Sequence, residues 1–116
     1  MPKMTTEERF ERFHQENPRL YRELRSRAVA LYAVGATRTS TKALVEVVRY
    51  DHAIRTRGEE FKVNNSFTAF YARVLVADRP ELASILTMRA MNPEYVPDLV
   101  NLGLRAKFDG AQARLV

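Results

Sequence analysis

The chain has 116 residues, 46% hydrophobic and 28% charged, with 19 basic and 14 acidic side chains and a net charge of +5. That is the size of one domain with one core, too short for a substrate domain beside a separate cofactor domain. Cysteine is absent, which excludes disulfide scaffolds, thiolate zinc sites, iron–sulfur clusters and cysteine nucleophiles.

The first helix is expected from Thr5 or Thr6 to Glu16. A threonine N-cap accepts from an orphan amide, and Glu7 and Glu8 suit the positive end of the helix dipole. Phe10 and Phe13 share one face. Asn17-Pro18 then breaks the chain and restarts it, with Asn17 as cap and Pro18 at the first helical position. A second helix runs from Pro18 to about Val34 on a stripe of Leu20, Leu24, Ala28 and Leu31, widened by Tyr21, Val29 and Tyr32. Gly35 is placed to end it. Thr39 or Ser40 caps a third helix from Thr41 to about Arg55. Its apolar set is Ala43, Leu44, Val47, Val48, Tyr50 and Ile54, with Val45 off the main face.

Thr56 to Glu60 reads as a turn, and Phe61-Lys62-Val63 as a short extended piece. Asn64, Asn65 and Ser66 are three successive caps for a fourth helix, Ser66 to Ala77, with Phe67, Phe70, Tyr71, Val74 and Leu75 inward. Asp78-Arg79-Pro80-Glu81 restarts the chain into a fifth helix, about Pro80 to Ala90. Beyond Met91 the pattern weakens, and Pro97 to Leu102 forms one helical turn closed by Gly103. The expectation is a single all-α domain over 1–116, a compact bundle of about five helices. It divides into an N-terminal helix at 1–16, a core at 17–90 and an irregular C-terminal segment at 91–116. No internal repeat of solenoid length is visible.

No run approaches the roughly 18 apolar residues of a membrane span. The longest uncharged apolar stretch, 28–37, is about half of that. The polar, acidic start, Met1 to Glu8, does not resemble a signal peptide. The chain is expected in the cytoplasm, without membrane contact.

Catalytic constellations are sparse. His14 and His52 have no second His or Cys at ligand spacing, and are expected as surface or boundary residues. Asp51 with Glu60-Phe61-Lys62 matches the acid…acid-x-Lys arrangement of restriction-type nucleases, which holds a divalent metal. A three-residue match arises often by chance, and the strands of that nuclease core are missing. No Gly-rich phosphate loop, GxSxG or HExxH is present. The expectation is a protein that is not an enzyme and needs no cofactor or metal.

Nucleic-acid binding is the leading expectation. The third and fourth helices form a helix-turn-helix variant, with a connection longer than the standard turn. The fourth helix would enter the major groove of double-stranded DNA. Asn64, Asn65, Ser66, Thr68 and Arg73 are its polar face, since Asn pairs with adenine and Arg with guanine. Arg38, Lys42, Arg55, Arg57 and Lys62 on flanking segments would touch phosphate. A homodimer on a two-fold site is a natural extension. Of the 19 basic residues 15 are Arg, which suits phosphate recognition but also follows from a GC-rich genome. The surplus charge is spread over the first 80 residues.

The rival is protein binding by a helix face or groove. Met88, Met91, Tyr95, Val96, Leu99 and Leu102 lie beyond the regular core pattern, where they either cover the bundle or form an adhesive surface.

Glu46-Val47-Val48-Arg49-Tyr50, Phe61-Lys62-Val63-Asn64-Asn65-Ser66-Phe67 and Tyr71-Ala72-Arg73 together resemble a set of short proteins of bacteriophages, prophages and mobile elements, with a pattern like EVLRW…FKLNN…YAR. Tyr50 stands where that pattern has Trp, and Val63 where it has Leu. The resemblance implies a viral or prophage origin and a compact helical fold; it does not imply catalytic residues. It is compatible with a DNA-binding regulator and with a protein that binds and modulates a host protein without contacting DNA.

Overall fold

A computed structural model describes residues 3–55, 65–88 and 94–105, with backbone alone at 51–55, 65 and 66. Among these the fold is all-α. Four helices, α1 (Thr6–Glu16), α2 (Pro18–Ala33), α3 (Thr41–Arg55) and α4 (Asn65–Asp78), are followed by a short 3-10 segment, Pro80–Ser84.

Local chemistry sets the helix ends. Thr5 caps α1 in a reciprocal box: its hydroxyl accepts from the Glu8 amide at 3.1 Å, and the Glu8 carboxylate accepts from the Thr5 amide at 3.0 Å. That bonding holds the Glu8 carboxyl below its ordinary value. Pro18 opens α2 as expected. Asn17 does not cap α2, however. Its side-chain amide donates backward to the Phe13 carbonyl at 2.9 Å, closing the end of α1 instead. At the other end of α2, Gly35 takes φ +84. Its amide bonds the Tyr32 carbonyl while the Ala36 amide bonds that of Leu31, the paired closure that a left-handed residue permits. Ser40 caps α3, its hydroxyl accepting from the Ala43 amide at 3.1 Å.

The fifth helix expected over 80–90 is replaced by the 3-10 segment and a two-residue strand. Strand β1 (Thr39–Ser40) pairs in parallel with β2 (Leu86–Thr87), with Thr39 opposite Leu86. The Thr39 amide also donates to the Ile85 carbonyl at 2.7 Å. Extended pairing with β1 captures backbone groups that a continued helix would have bonded internally, so Leu86 reaches the core from a strand and Ile85 from the cap of the 3-10 segment. The extended piece expected at 61–63 lies outside the described residues. The single turn expected before Gly103 is present: Gly103 has φ +75, and the Leu104 amide returns to the Leu99 carbonyl.

α4 is the central element. It packs against α1, α3 and the 3-10 segment, while α2 lies on α1 and α3. The core is aromatic where α1 crosses α4. The Phe10 ring has no exposed surface. It meets Phe67, Phe70, Tyr71 and Tyr95 at centroid separations of 5.7, 5.1, 4.7 and 5.8 Å, within the favourable range for ring pairs. Tyr95 and Leu102 are buried and Leu99 packs beside them, so the C-terminal segment covers this cluster. Met88 and Val96 stay exposed, and Met91 lies outside the described residues.

α3 turns a different face inward from the one its apolar residues suggest. Thr41, Leu44, Val45 and Val48 are buried, whereas Ala43, Val47 and Tyr50 are exposed. The expected set mixed two faces of one helix, and Val45, set aside in that expectation, belongs to the core.

Phe10 joins α1, α4 and the C-terminal segment, so Phe10→Ala should destabilise the protein by about 3–5 kcal/mol, the range for an aromatic ring removed from a packed core. Urea unfolding followed by circular dichroism checks this, with Phe13→Ala, only partly buried, as the milder comparison.

Candidate functional site

Of the residues expected to read DNA, the side chains of Thr68 and Arg73 are described, and neither is exposed. From Phe67 to Asp78 no residue of α4 is exposed. A recognition helix must offer one side to the groove along its first turns. The side chains of the first turn, 65 and 66, lie outside the described set, and α4 packs against α1, α3 and the 3-10 segment. Thr68 is half-buried and already engaged.

Arg73 lies on the side of α4 next to the C-terminal segment. Its side chain is 9% exposed and grips Glu94 with two nitrogens, Nε to Oε1 at 2.5 Å and Nη2 to Oε2 at 3.3 Å. A two-pronged Arg–carboxylate pair of this kind is among the stronger charge-assisted bonds. It ties Arg73 into the fold, where the expectation had a free guanidinium aimed at guanine.

Asn65 and Ser66 occupy the first turn of α4, and Arg55 is the last residue of α3; their side chains are outside the described set. Asn64, Arg57 and Lys62 are outside it entirely, as are Glu60 and the side chains of Asp51 and His52. Arg38, just before β1, and Lys42, in the first turn of α3, are exposed, and Arg38 Nε donates to the Thr87 hydroxyl at 3.1 Å.

Two polar features that sequence reasoning missed sit in the fold. His14 is a buried residue, not a boundary one: 4% exposed, its Nε2 stands 2.9 Å from the Leu102 carbonyl. The second is at Asp78. One carboxylate oxygen, Oδ2, accepts from the Tyr21 hydroxyl at 2.7 Å and from Arg25 Nη1 at 3.0 Å. The Arg25 guanidinium also lies 5.6 Å from the Tyr21 ring centroid. Burial, then the bond to Asp78, pushes the Tyr21 hydroxyl far above its ordinary value, so it stays a donor. Asp78 ends α4, where a negative charge is unfavourable to the dipole; Arg25 and Tyr21 offset that and lock α2 to α4. This is a structural clasp. Spacing along the chain gives no sign of it, because its partners are more than fifty positions apart.

Among the described residues, an apolar stripe on α3 faces outward. Ala43, Val47 and Tyr50 follow one another at i, i+4 and i+7 on its solvent side, with Val47 45% and Tyr50 68% exposed. Lys42 is exposed beside Ala43, and Glu46 pairs with Arg49 at 3.1 Å. The opposite side of α3 holds Leu44, Val45 and Val48 in the core. This exposed stripe is the strongest candidate site. Among the described residues no three His, Asp or Glu side chains converge to hold a metal, and no helix is long and apolar enough to cross a membrane. Comparison with protein-family models, with curated proteins and with solved structures finds no match.

Arg73→Ala should lower stability by roughly 1.5–3 kcal/mol, the scale of a hydrogen bond to a charged group. Urea unfolding checks this, and Glu94→Ala should cost at least as much, since it leaves the nearly buried Arg73 guanidinium without its carboxylate.

Proposed function

We propose that this chain is a non-catalytic helical binding module that docks on another protein through the solvent face of α3. The observation that carries this is the second apolar stripe, Ala43, Val47 and Tyr50. A helix that is apolar on opposite sides is normally covered on both. The i, i+4, i+7 spacing is the one by which a helix seats in an apolar groove. Lys42, exposed in the first turn of α3, and Arg38, exposed just before β1, favour a groove with an acidic rim there. The resemblance to short phage proteins makes a host protein the natural partner. Double-stranded DNA was the expectation from sequence; the burial of α4 and the engagement of Arg73 with Glu94 weigh against readout by that helix.

The test places a photo-crosslinking residue at position 47 or 50, with position 22 on α2 as the control, in a lysate of the source cell. A protein crosslinked at 47 and 50 but not at 22 is then purified and titrated. Val47→Glu should weaken its binding at least tenfold while leaving the circular dichroism unchanged. Equal affinity of the variant for that protein overturns the proposal. So does a salt-sensitive shift of source-genome fragments that Val47→Glu leaves intact, which would return DNA as the partner. Self-association abolished by Val47→Glu would show that a second copy covers the stripe.

A further inference from the structure

Residues 94–105 cross the aromatic core as a strap. Tyr95 lies on Phe70 and Phe10 at 4.8 and 5.8 Å between centroids, and Leu102 is buried. Three polar contacts hold the strap: Glu94 to Arg73 of α4, Asn101 to Glu11 of α1, and the Leu102 carbonyl to His14 of α1.

The last of these differs in kind. For His14 Nε2 to donate to the Leu102 carbonyl, the neutral ring must carry its proton there and leave Nδ1 as a bare acceptor. Nδ1 is buried and has no hydrogen-bond partner among the described residues. A proton added at Nδ1 would create a cation with one N–H unanswered, among Phe10, Tyr21 and Tyr71, whose centroids lie 6.4, 5.8 and 6.1 Å from that of the imidazole.

We propose that residues 94–105 form an acid-released strap, in which protonation of the buried His14 ring detaches this segment from α1 and α4 while the remaining helices stay folded. Once the strap lifts, the imidazolium gains water on the side now closed by Leu102. The other titratable groups around this site are Glu7 and Glu11 on α1, Tyr21 on α2 with Asp78 and Arg25 behind it, Tyr71 and Arg73 on α4, and Glu94, Tyr95 and Asp98 on the strap. The three tyrosines are pushed upward by burial and stay neutral. The Glu11 carboxyl is raised, chiefly by burial, and is the competing trigger.

The direction of the pH effect follows from burial. Desolvation holds the closed-state His14 below its ordinary value of 6.5, and the Leu102 carbonyl opposes this only in part. Closure is therefore fully favoured above 6.5 and weakens as pH falls below it, because the open state takes up the proton first.

Amide hydrogen exchange of the full chain, read by mass spectrometry at pH 7.5 and 5.5 and corrected for intrinsic rates, tests this. Peptides within 94–105 should lose about threefold to tenfold protection at pH 5.5, tenfold being the ceiling for one group that titrates at 6.5 when the segment is open, while peptides within 20–31 and 67–78 keep theirs. His14→Gln retains an amide donor for Leu102 and does not titrate, so its strap should be equally protected at both values. Glu11→Gln should keep the wild-type loss. Unchanged strap protection in the wild type overturns the proposal, as does a loss shared equally by 20–31 and 67–78. A loss that persists in His14→Gln, or vanishes in Glu11→Gln, does the same. If His14→Gln fails to fold, the ring is titrated by NMR in the wild type, and a midpoint that does not coincide with loss of strap protection is equally fatal.

Discussion

The burial of one ring, Phe10, is the constraint on which the arrangement depends. α1 is short and mostly polar: of its eleven residues only Phe10 and His14 are buried. Full burial of a phenylalanine contributes about 1.5–3 kcal/mol from area alone, and its edge and face contacts with four other aromatic rings add to that. Without that anchor α1 has little reason to lie across α4, and the C-terminal segment would lose the surface it covers. The capping box at Thr5 sets where α1 begins, so that positions 10 and 14 face inward together.

The centre of the molecule then follows from α4. It is apolar around most of its circumference, the pattern of a helix enclosed by its neighbours and not of one lying on a surface. Its polar groups are drawn into the fold in turn, Arg73 by Glu94 and Asp78 by Tyr21 and Arg25. α3 has the opposite character. It gives one side to the core and keeps a second apolar side in water.

Punctuation was the most legible part of the sequence. Thr5, Pro18, Gly35, Ser40 and Gly103 act locally, through their own backbone geometry or a bond to an amide three residues away, and each lies where the chain needs it. What depended on distant partners was not legible. The residues of α3 fit two helical faces, and only the packing of α2 and α4 selects Leu44, Val45 and Val48 over Ala43, Val47 and Tyr50. The segment after Pro80 has helical composition, yet its second half is claimed by Thr39 and Ser40. Asn17 suited a cap equally well in either direction along the chain. His14 and Arg73 looked solvated because nothing nearby in the chain revealed Leu102 or Glu94.

The two-residue ladder between β1 and β2 has a bearing on how the chain assembles. Its partners lie far apart in the chain and enclose both α3 and α4. So small a contact cannot offset the entropy of closing that loop before the helices have met. The ladder therefore forms late, as a latch on helices already packed. Because closure entropy grows only logarithmically, doubling the length of such a loop costs roughly 0.6 kcal/mol. Lengthening the chain between β1 and β2 therefore changes the closing cost of the latch very little.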